Sequence, residues 1–526
     1  MNYREKGNKA FFNGEFETAR QEYTKGIEVV PEDPRLWSNR AQTFIKLGYP
    51  ELAIADAINA LSLIEPKIIS GKYDDSDLVL LCKSGWRKAE ALAKSDEYRL
   101  AARELEKLSR IVNRRPVAGV DWNAWERDRD RYSKKHCQDM MLLKSVGTDR
   151  YMVIEQIGKI CKFPSRESYP WDIRSQERCT LENLASVQKL LGKISRNSIK
   201  VSLVSFPDAS QEHEFGIVAT KDIKKGTILL DEKPFISVHA PGQQQCDFCN
   251  KPISSKKFSC PKSNCSEIFC NRDCFDKAWE FYHRAICGKN LDSLYEIVNK
   301  DSKFSGSSLL FVLKIFAIAK QRDICPLDIE EIKHLFPFQH STAWFQHGPI
   351  AISFYFELMK LLEIPIFDSR YEPWIYLTIY RKTKPNCNLL DPMTGPGQLY
   401  PIISLFNHHC DPNACLSEEV SRFSFGTILS VQVAAIRNIK KGDQIFNNYK
   451  IGNDLSVSSV VGNTKPTRQL LETTYGKKRL ILKLEILQRQ PILLPTTQLH
   501  LQRLRQHQLQ IPEETRTNNS LTLKNS

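Results

Sequence analysis

The sequence of 526 residues lacks a long hydrophobic run. Its most apolar stretch, residues 309–319, is interrupted by Lys314 and is too short to span a bilayer. The first ten residues, MNYREKGNKA, are charged and lack the apolar segment that a signal peptide carries. We therefore expect a soluble intracellular protein, in the nucleus, the cytoplasm or both, with no membrane association.

Disulfide bonds are not expected either, because intracellular compartments keep thiols reduced. The chain nevertheless has 15 cysteines, and seven of them fall within residues 246–287. Cysteines at this density in an intracellular protein indicate a metal site.

The charge balance is basic, with a net charge of +14. Residues 476–526 hold nine Lys and Arg against three Asp and Glu, so six of the fourteen charges lie in this tail. The tail is rich in Gln, Leu and Arg, a composition typical of disordered or weakly helical segments. The positive charge therefore reflects a solvated tail and an ordinary protein surface, and we do not expect direct nucleic-acid binding.

A period of 34 residues marks the N-terminal part of the chain. Small and aromatic residues carry the first unit, namely Gly7, Ala10, Gly14, Phe16, Ala19, Tyr23, Gly26 and Pro31. The second unit repeats the pattern with Ala41, Phe44, Gly48, Ala53, Ala57 and Ala60. A third follows an insertion at residues 68–77, with Ala89, Leu92, Tyr98, Ala101, Leu105 and Leu108. The pattern resembles the tetratricopeptide repeat (TPR), and it predicts an α-helical solenoid over residues 1–113.

Five polar residues are predicted to share the concave face of this solenoid: Arg4, Asn8, Asn39, Lys83 and Arg87. The set resembles the carboxylate clamp with which some TPR proteins bind the acidic C-terminal tails of heat-shock chaperones. The resemblance implies a site for a terminal carboxylate and an acidic side chain. The alternative is that the cations are solvated and the Asn side chains bond to neighbouring backbone.

The cysteine-rich segment contains eight ligands for a soft metal ion, which are Cys246, Cys249, Cys260, Cys265, Cys270, Cys274, His283 and Cys287. Eight such ligands make two tetrahedral zinc sites. Because close pairs in such a run usually interleave, Cys246, Cys249, Cys270 and Cys274 are assigned to one ion. Cys260, Cys265, His283 and Cys287 are assigned to the other. The order of ligands resembles the MYND zinc finger, although two of its spacings differ from that family.

Two related phrases flank the zinc segment, ATKDIKKGTIL at 219–229 and AIRNIKKGDQI at 435–445. Between the second phrase and the zinc segment lies SLFNHHCDPNA at 404–414, which contains Asn407, His408, Cys410, Pro412 and Asn413. This set resembles the signature of SET-domain lysine methyltransferases, in the branch that carries a MYND finger and, here, N-terminal TPR repeats. The resemblance implies S-adenosylmethionine as the cofactor. Asn407 and His408 would hold its adenine end, and the backbone of Phe215 and Gly216 its amino-acid part.

Tyr449 ends the phrase GDQIFNNY and matches the tyrosine that closes the SET active site. The resemblance implies that its hydroxyl orients a neutral substrate lysine for in-line methyl transfer. The predicted function is therefore protein-lysine N-methyltransferase, acting on a histone or another protein. The repeats and the zinc finger would recruit protein partners, chaperones among them.

Three departures from the family bear on activity. Glu214 stands where a glycine of the cofactor loop is common, and His409 replaces a common serine. The family pattern also continues into a cysteine cluster that binds a third zinc, whereas no cysteine follows Cys415 here. The break after Gly476 points to an altered reading frame or a truncated gene copy, which sequencing the transcript across codons 470–485 tests. The missing cysteine cluster favours a competing interpretation, in which the protein is an adaptor that acts through its repeats and zinc finger.

The predicted fold is therefore multidomain α+β: a TPR solenoid followed by a β-rich SET fold that a MYND-like finger and a helical insertion divide. The segments after the solenoid are a linker or helical region at 114–197, the N-terminal SET part at 198–245, the zinc finger at 246–287, the helical insertion at 288–396, the SET core at 397–450, a post-SET remnant at 451–475 and a tail at 476–526. Within the region 114–197, the charged run 121–135 predicts a solvated helix or linker.

Overall fold

The computed structural model describes residues 2–113, 116–145, 168–205, 214–239, 242–253, 257–262, 264–300, 306–337, 348–389, 397–409, 411–416 and 430–448. The predicted post-SET remnant and tail lie outside these residues. Each helix in the described part of the chain is too short or too polar to cross a membrane.

Six helices form the N-terminal region as three consecutive antiparallel pairs. They are α1 (Tyr3–Phe12), α2 (Phe16–Val29), α3 (Pro34–Leu47), α4 (Pro50–Ile69), α5 (Asp75–Lys94) and α6 (Tyr98–Ile111). Helix α3 shows how the sequence sets the ends of these helices. Asp33 accepts a hydrogen bond from the backbone N–H of Arg35, Pro34 occupies the first turn, and Gly48 ends the helix with a φ of 80°.

The small residues of the repeat allow the paired helices to approach closely. A Cβ atom on Gly7 would lie 2.4 Å from the ring of Tyr23, and one on Gly85 would lie 1.9 Å from a methyl carbon of Leu108. The insertion at residues 68–77 lengthens the helices around it, since α4 and α5 have 20 residues each whereas α2 and α3 have 14. The N-terminal region is thus helical and TPR-like.

Helix α7 (Trp122–Ser145) follows the repeats and packs against α6. The charged run was expected to be solvated, but one face of this helix is buried. Trp125 and Tyr132 are almost inaccessible, and the indole of Trp86 donates to Asp128 at 2.9 Å. The aromatic residues explain the difference, because their large apolar surface gains more from contact with the last repeat than the neighbouring charges lose.

The β-rich part begins after two more helices, α8 (Ile173–Gln176) and α9 (Leu181–Gly192). Its strands are β1 (Ile199–Val204), β2 (Glu214–Ala219), β3 (Ile228–Glu232), β4 (Ile236–Val238), β5 (Phe258–Ser259), β6 (Ile268–Phe269), β7 (Cys387–Leu389), β8 (Gly397–Leu399), β9 (Asn407–His408), β10 (Ala414–Leu416), β11 (Val431–Ala435) and β12 (Gln444–Asn447). The sheets have the orders β1-β2-β12-β9, β10-β11-β3, β4-β8-β7 and β5-β6. Three of these sheets therefore join strands from both sides of the cysteine-rich segment.

Helices fill the sequence between β6 and β7. They are α10 (Arg272–Ala278), a π-helical turn (Trp279–His283), α11 (Arg284–Ile286), α12 (Asp292–Lys300), α13 (Gly306–Arg322), α14 (Glu330–Lys333), α15 (Gly348–Leu361) and α16 (Pro373–Asn386). Short 3-10 turns cover Pro326–Asp328, Ser369–Tyr371 and Ile403–Leu405.

The apolar interior has two main parts. One runs from the second and third repeats through the cysteine-rich segment to the helices of the insertion, and the other lies within the strands. A buried ion-pair network joins the repeats to the insertion. Arg40 of α3 contacts both carboxylate oxygens of Asp56 at 2.7 and 2.9 Å and Glu372, just before α16, at 3.0 Å.

Candidate active site and metal centres

The eight predicted metal ligands form two groups. The thiol sulfurs of Cys246, Cys249, Cys270 and Cys274 lie within 4.8 Å of one another. Cys260, Cys265, His283 and Cys287 form the second group under the same limit. These groups are the two that the interleaved assignment predicts.

The sulfur separations suit a tetrahedral metal ion. The distance from Cys270 to Cys274 is 3.4 Å, from Cys260 to Cys287 3.5 Å, and from Cys249 to Cys270 3.8 Å. A tetrahedron with zinc–sulfur bonds of about 2.3 Å places its sulfurs about 3.8 Å apart. The residues present therefore fit zinc in both number and spacing.

Local structure places the ligands of the first group. Cys270 follows strand β6 directly, and Cys274 lies in the first turn of α10. Asn271 caps that helix by accepting a hydrogen bond from the backbone N–H of Cys274 at 2.8 Å. The cap therefore fixes Cys274, the last ligand of the first group, relative to strand β6, which presents Cys270.

The second group is supported by a carboxylate behind its histidine. His283 is fully buried, and its Nδ1 lies 2.8 Å from a carboxylate oxygen of Glu267, while its Nε2 faces the sulfur of Cys265 at 3.7 Å. A carboxylate in this position selects the tautomer that leaves Nε2 free to bind a metal. The sequence indicated the ligands but not Glu267, which has no fixed place in the ligand spacing.

The predicted cofactor segment, strand β9, lies at the edge of the first sheet, next to β12. Strand β12 pairs antiparallel with β2, where Ile445 faces Ile217, and parallel with β9, where Phe446 faces Asn407 and Asn447 faces His408. The Asn407–His408 dipeptide therefore lies beside the strand that leads to Tyr449.

Asn407 contacts the other half of the predicted cofactor site directly. Its side-chain amide donates to the backbone carbonyl of Phe215 at 3.0 Å. A Cβ atom on Gly216 would lie 2.8 Å from Val204 Cγ2, 2.9 Å from Gln444 Nε2 and 3.0 Å from Asn407 Nδ2. The absence of a side chain at position 216 leaves room for Val204, Gln444 and Asn407 to approach the strand.

Asn413, which the sequence offered only as part of the signature, holds this junction together. Its amide donates to the carbonyl of Gln444 at 2.9 Å, and its side-chain oxygen accepts the backbone N–H of Phe446 at 2.8 Å. The signature thus supplies one Asn beside β2 and another that anchors β12.

Three of the predicted clamp residues meet in one hydrogen-bonded cluster on the repeats. The oxygen of Asn8 accepts from Tyr23 at 2.8 Å and from the amide of Asn39 at 3.0 Å. Arg87 donates to Ser38 at 2.6 Å, to Asn39 at 3.3 Å and to Gln42 at 3.2 Å.

The charges of the predicted clamp differ in their surroundings. The hydrogen-bond partners of Arg87 are neutral, and burial lowers the pKa of its guanidinium to about 10, which leaves it cationic at neutral pH. Arg4 lies close enough to Tyr23 to act on its pKa, whereas Lys83 is exposed. The structure thus brings Asn8, Asn39 and Arg87 together, and it leaves Lys83 at the surface.

A model of the SET domain matches residues 214–450. The chain therefore contains a segment that is similar to the SET domain. It is 28% identical over 312 residues to the protein-lysine N-methyltransferase SMYD4 of Gallus gallus, an alignment that covers 54% of this chain and 36% of that protein. The chain thus matches only about a third of the length of this relative. The predicted resemblance to SET and MYND methyltransferases is confirmed.

The repeats have relatives of their own. Tetratricopeptide repeat protein 12 of Mus musculus is 44% identical over 62 residues, which are 12% of this chain and 9% of that protein. The Hsp70-Hsp90 organizing protein of Triticum aestivum is 32% identical over 108 residues, or 20% of this chain and 17% of that protein.

The SET domain departs from its family at Glu214, and the structure gives this residue a partner. Its carboxylate pairs with Arg178 and accepts the backbone N–H of Phe215 at 2.7 Å. The guanidinium of Arg178 lies 5.3 Å from the ring of Phe215 and 5.1 Å from that of Phe336. The acidic side chain is therefore held by a buried cation. Sequence reasoning missed Arg178, because nothing in the local pattern links it to a residue 36 positions away.

Cys410 of the SET signature lies outside the described residues, and so does the predicted catalytic Tyr449. His409, the other departure in the signature, is described. Its backbone N–H donates to the carbonyl of Asn447 at 3.0 Å. The replacement of serine by histidine therefore leaves that backbone pairing in place.

Proposed function

We propose that this protein is a protein-lysine N-methyltransferase that uses S-adenosylmethionine. The observation that carries the proposal is the junction of Asn407, Phe215 and Gly216, in which the signature dipeptide contacts the cofactor strand across 192 residues of sequence. A glycine, which lets a ligand approach the main chain closely, lies next to the paired Asn407–His408 segment, and this arrangement fits a ligand held largely by main-chain groups.

S-adenosylmethionine supplies an electrophilic methyl group when it is bound. The residues of this chain have three tasks. Asn407 and His408 hold the adenine end, and the backbone of Phe215 and Gly216 holds the amino-acid part. Tyr449 would orient the neutral ε-amine of the substrate lysine toward the methyl group that the cofactor would supply, and the methylated amine would then release a proton.

The two cysteine-rich groups are proposed to bind one structural zinc ion each. Four protein ligands fill each coordination sphere, so neither ion takes part in the reaction. Metal analysis of the purified protein is expected to give two zinc ions per chain and one in His283→Ala. One zinc or none in the folded wild type would contradict the assignment.

Methyl transfer is tested with S-adenosylmethionine carrying a labelled methyl group and a panel of lysine-containing proteins, histones included. Label is expected on a lysine, and Tyr449→Phe is expected to lower its rate of transfer. Label that persists unchanged in Asn407→Ala would contradict the proposed site.

The competing function is that of an adaptor, and the observation that favours it is the absence of any cysteine after Cys415. A chain that binds neither S-adenosylmethionine nor its demethylated product while it is folded would support the adaptor. The repeats and the zinc segment would then carry the function.

The repeats are proposed to bind an acidic peptide that ends in a free carboxylate, as chaperone tails do. The support is the cluster of Asn8, Asn39 and Arg87, in which the hydrogen-bond partners that the structure describes for the cation are neutral. A fluorescent acidic peptide is expected to bind, and its C-terminally amidated form and the Asn39→Ala variant to bind more weakly. Equal affinity for the free and amidated peptides would contradict the clamp.

A further inference from the structure

A buried carboxylate lies behind the cofactor segment. Glu232 ends strand β3, and only 5% of its surface is exposed. One of its carboxylate oxygens accepts the backbone N–H of Ile402 at 2.9 Å, and the other accepts that of Ile403 at 2.8 Å. One side chain therefore binds two consecutive amides from a segment 170 residues away.

These amides open the turn that leads to the cofactor residues. The 3-10 turn Ile403–Leu405 begins at this point, and strand β9 with Asn407 and His408 follows one residue after the turn. The hydroxyl of Ser404 in the same turn donates to the carbonyl of Tyr400 at 2.8 Å. By accepting the two amides at the start of the turn, Glu232 thus sets the direction in which the chain enters β9.

The surroundings of Glu232 are apolar. Tyr400 and Val431 are buried next to this turn, and Ile403 and Leu416 pack against them. Among the described residues, no cation contributes to the pKa of Glu232. An ionised carboxylate in such a place is unfavourable unless hydrogen bonds stabilise it, and here the two backbone amides are the donors.

We propose that Glu232 is a positioning residue for the cofactor: its ionised carboxylate holds the turn 402–405, so that Asn407 and His408 stand where S-adenosylmethionine binds. This inference rests on the proposed function, because it takes β9 as the cofactor segment. Glu232 touches neither cofactor nor substrate in this account and acts only through the backbone of the turn.

The hydrogen bonds between Glu232 and the turn should depend on pH in the neutral range. Burial raises the pKa of Glu232 to about 7, although the two amide donors act to lower it. The phenol of Tyr400 is the titratable group that faces it, and burial keeps the pKa of this phenol above its ordinary value of 10.0. The sequence neighbours Asp231 and Lys233 are exposed.

Below pH 7 the carboxylate therefore gains a proton, and the resulting O–H cannot accept from the amide that it faces. Losing one charge-assisted hydrogen bond weakens binding by about tenfold. Affinity for S-adenosylmethionine should therefore fall as the pH drops from about 8 to about 6.

Calorimetric titration of S-adenosylmethionine into the zinc-loaded full chain tests this at pH 6, 7 and 8. The variant Glu232→Gln removes the charge and keeps the shape, and Asp231→Asn removes an exposed carboxylate next to it. Because the amino group of the cofactor titrates equally in all three proteins, the difference between wild type and Glu232→Gln isolates Glu232. We expect Glu232→Gln to bind about tenfold more weakly at pH 8 and to approach wild type at pH 6, whereas Asp231→Asn follows wild type throughout.

Parallel pH profiles in wild type and Glu232→Gln would overturn the inference while leaving the proposed function intact. A folded wild type that binds no S-adenosylmethionine at any of these pH values would overturn both. If Glu232→Gln does not fold, hydrogen exchange in the wild type replaces it. Protection of the amides of residues 402 and 403, corrected for the intrinsic rate, should fall from pH 8 to pH 6, and constant protection would overturn the inference.

Discussion

The ion-pair network of Arg40, Asp56 and Glu372 is expected to be the contact on which the docking of the repeats most depends. The side chains of Arg40 and Asp56 are 3% and 1% exposed, and Glu372 is 18% exposed. The guanidinium also lies 5.1 Å from the ring of Trp37. Replacing Arg40 with Ala would leave the carboxylate of Asp56 buried without its cation.

Breaking a buried pair by removing one partner typically costs about 3–5 kcal/mol, because the remaining charge is uncompensated. Native-state hydrogen exchange, read by mass spectrometry on peptides from α3 and α16, measures such a change locally. The opening of these two helices should become more frequent by a factor of about 10² to 4 × 10³ in Arg40→Ala. The control is Arg35→Ala, on the same helix. Arg35 is 55% exposed and pairs with Asp33 at the surface, so its loss should change the exchange by less than about fivefold.

The loss in Arg40→Ala should also depend on pH. Burial already raises the pKa of Asp56 above its ordinary 3.8, and losing Arg40 raises it further. Between the pKa of Asp56 in the unfolded chain and its higher pKa in the folded variant, the folded state holds a proton that the unfolded state has released. Stability therefore falls as the pH rises through this range. Arg40→Ala should therefore recover part of its stability on acidification. Equal exchange in Arg40→Ala and Arg35→Ala would refute the role given to the network, and so would a pH-independent loss.

Three further predictions concern single residues. Glu267→Gln should weaken zinc binding by about 10- to 100-fold in a chelator competition, because the tautomer of His283 loses its support. Glu280→Gln, in the same π-helical turn as His283, should leave zinc binding unchanged. Equal zinc affinities of the two variants would contradict the role of Glu267. Gly216→Ala should lower the free energy of unfolding by about 1–3 kcal/mol, because its Cβ would collide with three side chains, and a thermal transition unchanged from wild type would contradict that packing. Burial lowers the pKa of Lys382 from 10.5 to about 7, so the unfolded state binds more protons between these values and stability should rise with pH there; Lys382→Met should lose that slope, and a slope that persists would contradict the assignment.

Local patterns in the sequence predict much of this molecule. The metal ligands follow a spacing that depends on short loops, so the division into two groups could be read from the chain. The close packing of the first helix pair could also be predicted, because Gly7 and Tyr23 both belong to the repeat pattern. Gly85, which leaves room for Leu108, was not part of that pattern.

The contacts that the sequence did not reveal join distant segments. Glu232 binds amides 170 residues away, and Arg40 reaches Glu372 across 332 residues. Such pairs leave no periodic signal, because each partner looks locally like an ordinary surface charge. The same reason explains why the sequence did not reveal the partner of Glu214, since Arg178 lies in the segment between α8 and α9.

The charged helix α7 shows a different limit. Its sequence is dominated by charges, and the buried face depends on two aromatic residues, Trp125 and Tyr132. Two aromatic residues on a charged helix predict a buried face only when the surface opposite them is known. That surface belongs to the last repeat.

The central claim is that Asn407, Phe215 and Gly216 form a binding site for S-adenosylmethionine. Calorimetric titration of the cofactor into the folded, zinc-loaded chain tests it most directly, with Asn407→Ala as the variant. The exposed Asn438, whose side chain accepts the backbone N–H of Lys225 at 2.9 Å, gives the matched control Asn438→Ala. Saturable binding of one cofactor per chain, lost in Asn407→Ala and kept in Asn438→Ala, is the predicted result. A folded wild type that binds no cofactor, or an Asn407→Ala variant that binds as tightly as wild type, would contradict the claim.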